Sequence, residues 1–190
     1  THNHANGYGG ALYGSGYHYG SNDTIFLINC TISYNSAGQH GGGVYLSQNI
    51  SIQNCVITHN TAGNGNGGLR LSEGIITHST ITHNTAGTTC GGISSDRSKV
   101  YNCLIAHNTS GSSASGILAD RSDVFGCTIV NNASSGTGAN LGAGLVGTTS
   151  TSASYLPNVV NCIIWENRNN GEIANVLNNT ACHHSAVEGG

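Results

Sequence analysis

Apolar residues in this chain come in bursts of three to five, separated by Gly, Asn, Ser and Thr, and the bursts themselves repeat. One element reads Asn29-Cys30-Thr31-Ile32-Ser33-Tyr34-Asn35, then Asn54-Cys55-Val56-Ile57-Thr58-His59-Asn60 and His78-Ser79-Thr80-Ile81-Thr82-His83-Asn84. It returns as Asn102-Cys103-Leu104-Ile105-Ala106-His107-Asn108, Gly126-Cys127-Thr128-Ile129-Val130-Asn131-Asn132 and Asn161-Cys162-Ile163-Ile164-Trp165-Glu166-Asn167. The Cys or Ser position advances by 25, 24, 24, 24 and 35 residues, the last step carrying a Ser/Thr-rich insertion around 148–156. Alternation within each burst is that of a strand, and a fixed period of this length marks a repeat architecture.

Two further elements keep the period. Gly42-Gly43-Val44-Tyr45-Leu46, Gly67-Gly68-Leu69-Arg70-Leu71, Gly91-Gly92-Ile93, Ser115-Gly116-Ile117-Leu118 and Ala143-Gly144-Leu145-Val146 form one; the apolar positions Leu27, Ile52, Ile76, Val100, Val124 and Val159 form the other. Three short apolar stretches per repeat predict an all-β chain, a three-faced parallel β-helix of about seven coils of ~24 residues. β-branched residues between glycines leave no room for the helix of a leucine-rich repeat. Stacked coils predict a buried aliphatic column of Ile32, Ile57, Ile81, Ile105, Ile129 and Ile164. They also predict a side-chain amide ladder of Asn35, Asn60, Asn84, Asn108, Asn132 and Asn167 at the strand spacing. Glycine is expected wherever the backbone turns a corner with positive φ.

These motifs resemble the bacterial right-handed parallel β-helix repeat proteins, including adhesin-like surface proteins of the polymorphic outer-membrane type with GGA(I/L) and FxxN repeats. Gly9-Gly10-Ala11-Leu12 matches the first motif, and Ile-x-x-Asn stands where the second has Phe-x-x-Asn. The resemblance covers essentially the whole chain and implies a fold; such coils serve adhesins, scaffolds and polysaccharide-acting enzymes alike.

Composition narrows the function classes. With 190 residues, five Lys+Arg against eight Asp+Glu and a formal net charge of -3, no basic surface is present to neutralise phosphates, which argues against nucleic acid and anionic membranes. No apolar run approaches the roughly 18 residues of a membrane span. One β-helical domain over 1–190 is expected, in a secreted or cell-surface setting. The chain begins at Thr1-His2-Asn3 and ends beyond Ser185-Ala186-Val187, each part-way through a coil. Open ends of this kind predict head-to-tail stacking on identical neighbours or continuation into a longer surface protein.

The chemistry-bearing residues divide into columns. Cys30, Cys55, Cys103, Cys127 and Cys162 lack any CxxC pair and fall on an inward position that Ser79 also fills, so they are expected as buried free thiols. Cys90 and Cys182 fall outside the column and are the disulfide candidates, within or between protomers. His59, His83 and His107 are equivalent in three coils, with Tyr34, Asn131 and Glu166 completing the column. They predict a stacked ladder, and a metal site only if parallel side chains converge.

Asp96-Arg97 and Asp120-Arg121 stand 24 apart beside Glu73, Lys99 and Asp123. They read as an ionic ladder, or, for a carbohydrate-active β-helix, as acid–base machinery. Leu104, Val130, Ile163 and Trp165 face outward as a lateral contact strip. Asn22 and Asn108 head glycosylation triplets. No cofactor is expected, and the function expected is structural and non-catalytic: a filament protomer, or a stalk segment of an adhesin-like protein with glycans as candidate partners.

Overall fold

The computed structural model describes residues 1–15, 24–137, 142–147, 156–177 and 180–188. All of its regular structure is strand, in three sheets that run along one axis, with no helix among the described residues. The Ile sheet stacks Thr31–Ser33, Val56–Thr58, Thr80–Thr82, Leu104–Ala106, Thr128–Val130, Ile163–Trp165 and Ala186–Val187, all parallel and in register. Seven rungs enclose six full turns, one fewer than the repeat count suggested. The insertion around 148–156 falls largely outside the described residues.

Next in each coil comes a sheet of two-residue strands, from His4–Ala5 through Ser36–Ala37, Thr61–Ala62, Thr85–Ala86, Thr109–Ser110 and Ala133–Ser134 to Arg168–Asn169. The third sheet is the long one. Val44–Gln53 and Leu69–Thr77 cross its full width, whereas later coils break there into pairs such as Ile93–Asp96 and Lys99–Tyr101. The extra residue in the coil of Val44–Gln53 is taken up at Gln48 and Asn49, where the register shifts and both residues have positive φ.

One side of each strand faces a continuous aliphatic interior. The column Ile57, Ile81, Ile105, Ile129 and Ile164 is fully buried, with Ile32 at its edge. Ile52, Ile76, Val100, Val124 and Val159 form a second buried column, and Leu69, Ile93, Ile117 and Leu145 a third. Each such side chain adds on the order of 1.5–3 kcal/mol relative to exposure.

The corners depart from expectation in an informative way. Positive φ was assigned to glycine, but most positive-φ corners carry other residues: Asn29, Asn54, His78, Asn102 and Asn161 enter the Ile sheet, and Tyr34, His59, His83, His107, Asn131 and Glu166 leave it. Asn and His tolerate this region better than most side chains, because their polar groups bond locally. The repeated glycines serve contact instead. A Cβ on Gly68 would stand 2.8 Å from the Gly92 carbonyl and 3.0 Å from the Asn84 amide nitrogen, and Gly43, Gly92, Gly116 and Gly144 meet the next amide in the same way.

That amide belongs to a ladder. Asn35 Nδ2 donates to Asn60 Oδ1 (2.9 Å), Asn60 to Asn84, Asn84 to Asn108 and Asn108 to Asn132 (each 3.0 Å), and Asn132 to Asn167 (2.8 Å). Each Oδ1 also accepts the backbone N–H of the preceding asparagine, and Asn60, Asn84, Asn108, Asn132 and Asn167 donate a second time, to the carbonyls of Ile32, Ile57, Ile81, Ile105 and Ile129. Asn3 joins at one end and Asn175 at the other. Asn175 arrives only eight residues after Asn167, because the chain reverses at Asn170-Gly171 and lays Glu172–Ile173 antiparallel against Arg168–Asn169. The sheet of short strands thus ends in a hairpin, where an open parallel edge was expected.

Asn84→Ala removes four buried hydrogen bonds, those from the Asn60 amide and side chain and those to the Ile57 carbonyl and the Asn108 oxygen, and leaves the Asn60 backbone N–H without its acceptor. Urea unfolding is expected to register a loss of about 2–4 kcal/mol, against less than about 0.5 kcal/mol for the exposed Thr85→Ala one residue away.

Candidate functional site

The cysteine column lies where the chain enters the Ile sheet. Cys55, Cys103, Cys127 and Cys162 are buried, Cys30 is half-buried, and all are free thiols. They do more than fill space. The Sγ atoms of Cys30, Cys55, Cys103, Cys127 and Cys162 each donate to the carbonyl two residues back, at 3.2–3.4 Å, the bond that Ser79 Oγ makes to Thr77 at 2.8 Å. Ser79 Oγ accepts the Cys55 amide at 3.1 Å and Ser185 Oγ the Cys162 amide at 3.0 Å. Serine and cysteine interchange because both donate to the carbonyl two residues back.

A third corner repeats the device with serine. Gly74 N–H donates to Ser98 Oγ and Ser98 N–H to Ser122 Oγ, both at 3.2 Å, while Ser98 and Ser122 donate to the carbonyls of Asp96 and Asp120 at 2.8 Å. This serine ladder escaped the reading of the sequence, although Asp96-Arg97-Ser98 and Asp120-Arg121-Ser122 carry its signal at the repeat spacing.

Cys90 and Cys182 do not meet. Cys90 is fully buried at a corner in line with Asn66 and Ala114, and burial pushes its thiol up to about 12. Cys182 pairs in register with Val159, extending the Val124–Val159 column three rungs beyond Val100 in the coil of Cys90. Neither forms a disulfide, and the burial of Cys90 removes it from any bridge between protomers.

The histidine column forms a stack of rings on the surface. His2–Tyr34, Tyr34–His59, His59–His83 and His83–His107 have centroids 5.1, 4.8, 4.9 and 5.0 Å apart, with interplanar angles between 2° and 21°. Stacked rings hold their nitrogens in parallel, and no group of three or more His, Cys, Asp or Glu converges as a metal site among the described residues. A second aromatic cluster brings Tyr8, Tyr13, His40 and Tyr45 together, with centroids 5.1–5.9 Å apart. Tyr13 and Tyr45 are register partners, as are Tyr45 and Arg70. The sequence showed a Tyr-rich start but gave no register to join these rings across 32 residues.

The charged residues form a chain along the axis. Arg97 reaches Glu73 at 2.8 Å and Asp96 at 3.3 Å, and Arg121 reaches Asp96 at 2.8 Å and Asp120 at 3.2 Å. Beside it, Thr24, Asn49, Ser51, Glu73, Arg97 and Lys99 line a groove of about 350 Å³. On the Ile sheet, Leu104, Ile163 and Trp165 are exposed and Val130 is half-buried, while the small Ser33 and Ala106 are covered. Asn108 is fully buried in the ladder, so it is closed to glycosylation; Asn22 lies outside the described residues.

A family model described as a right handed beta helix region matches residues 15–186. The chain belongs to the right-handed β-helix family. No curated protein and no solved structure matches it. Membership in the right-handed β-helix family accounts for the coil, and the ladders, the ring stack and the ion-pair chain are what this sequence builds on it.

Burial, then the charges of His107 and His59, lower the His83 pKa from its usual value. A base whose folded pKa is depressed contributes stability above its unfolded pKa of about 6.5 and loses it as pH falls from there through the folded value. Unfolding followed between pH 7.5 and 5 is therefore expected to show falling stability below about pH 6.5. His83→Asn, the residue that Asn131 already places at this corner, is expected to flatten that slope.

Proposed function

We propose that this β-helix is a non-catalytic, extracellular structural protein: a rigid rod that serves as the stalk segment of an adhesin-like surface protein or as a filament protomer. The observation that carries the reading is the ion-pair chain Glu73–Arg97–Asp96–Arg121–Asp120, in which each acid is held by an arginine. Paired charges of this kind neutralise one another along the axis, whereas acid–base catalysis needs a group poised to exchange a proton.

For head-to-tail stacking, the antiparallel strand Glu172–Ile173 sets a constraint. A copy stacking on that end would have to pair antiparallel with this strand and parallel with Val176–Leu177, Cys182–His183 and Ala186–Val187 within one contact. The exposed strip of Leu104, Ile163 and Trp165 supports lateral contacts instead.

A carbohydrate-binding role is the second reading, and the Tyr8, Tyr13, His40 and Tyr45 cluster beside Arg70 favours it, since exposed rings with polar edges suit sugar faces.

Negative-stain imaging of the purified chain at high concentration, with incubation against neutral and uronate polysaccharides, tests both parts. Discrete short rods and no new reducing or unsaturated ends are expected. Fibres one coil wide would select the filament form. Polysaccharide turnover that disappears in Asp96→Asn and Arg97→Gln would overturn the non-catalytic reading.

A further inference from the structure

The chain holds four Asn-Gly steps, at Asn6, Asn64, Asn66 and Asn170. Glycine in second place matters chemically: with no Cβ beside it, its backbone nitrogen is the least hindered nucleophile toward the asparagine side-chain amide. Three of the four steps are held away from that reaction. Asn6 Oδ1 is bonded to His4 Nε2 at 3.2 Å. Asn66 is buried, and the Gly67 N–H donates to the Cys90 carbonyl at 3.0 Å. Asn170 Nδ2 donates to the Gly136 carbonyl at 2.7 Å.

Asn64 differs on each count. Its side chain is exposed and takes no hydrogen bond among the described residues. Its backbone is held on both sides, the Asn64 N–H donating to the Gln39 carbonyl at 2.9 Å and the Thr88 N–H to the Asn64 carbonyl at 2.8 Å. The Gly65 N–H donates to an imidazole nitrogen, His40 Nδ1, at 3.3 Å. A Cβ at position 65 would stand 3.2 Å from that nitrogen and 3.1 Å from the Thr89 carbonyl oxygen, so glycine here leaves the imidazole its room. On its other side the His40 ring stacks on Tyr8, with centroids 5.8 Å apart and planes 10° from parallel. Accepting at Nδ1 puts the proton of the neutral ring on Nε2, so the nitrogen facing the Gly65 N–H is the basic one.

We propose that Asn64-Gly65 is a self-modifying site at which His40 acts as general base. The Gly65 nitrogen attacks Asn64 Cγ and gives its proton to His40 Nδ1. The N–Cγ bond forms, the Cγ–Nδ2 bond breaks, and Nδ2 leaves as ammonia with the proton that His40 returns. Water then opens the five-membered succinimide at either carbonyl, leaving aspartate or isoaspartate at position 64. No oxidation state changes and water is the only co-reactant. Either product places a new carboxylate, and one more negative charge, beside His40.

The test follows the full chain aged in neutral buffer, with peptide mapping by mass spectrometry that resolves asparagine, succinimide, aspartate and isoaspartate at each Asn-Gly step. Asn64 is expected to convert well ahead of Asn6, Asn66 and Asn170. His40→Gln offers the Gly65 N–H an acceptor but no base; it is expected to slow Asn64 on the order of a hundredfold and to leave Asn170 unchanged, with circular dichroism confirming the fold.

Conversion of Asn64 no faster than that of Asn170 would overturn the proposal, as would an equal Asn64 rate in folded His40→Gln. Should that variant fail to fold, the parent chain in urea decides. Unfolding takes His40 away from Gly65, so Asn64 must convert more slowly in urea than in the folded chain; an equal or faster rate there would overturn the proposal.

Discussion

At three corners of each coil a backbone N–H is turned along the solenoid axis, and a side chain one coil away has to accept it. Everything else in the molecule is arranged around that requirement. A residue with positive φ makes the bend, and the residue after it is Asn, Cys or Ser, short enough to stay inside and polar enough to bond up and down the stack. Unpaired, such a buried amide costs about 1–3 kcal/mol, and a protein with a handful of coils has many of them. The fourth corner, at Asn66 and Cys90, closes with backbone bonds alone, from Gly42 to Asn66 and from Gly67 to Cys90.

This constraint connects features that look unrelated in the chain. The glycine column is there because the Asn amides lie against it, and the cysteine column because a thiol can substitute for a serine hydroxyl in the bond to the carbonyl two residues back. Rings stack at the surface because the residue preceding each ladder asparagine is held at positive φ, which sets its side chain over the one below. The ion-pair chain sits at the equivalent place on the serine corner, where Glu73, Arg97 and Arg121 make the bend.

The period made the coil, the Ile column and the Asn ladder readable from the sequence, since each residue type recurs at one position. What escaped has a common physical reason. Corner conformation is a local backbone property, and Gly was assigned to it on propensity alone, while the ladders compensate Asn, His and Arg for adopting it. The short link from Asn167 to Asn175 was hidden because a hairpin replaces most of a coil, so the period breaks where the topology continues. Cys182 was set apart from the core for the same reason, and the Tyr8–Tyr45 cluster depends on register across a segment with no repeat signal.

Hydrogen exchange resolved by residue tests the corner constraint most directly. The amides of Cys55, Asn60, Asn84 and Ser98 donate to side chains and to no strand. They are expected to exchange only through global unfolding, at the rate of the core amides of the Ile sheet. Exchange as fast as that of exposed corners, with the core still protected, would contradict the claim that these side-chain ladders hold the coil together.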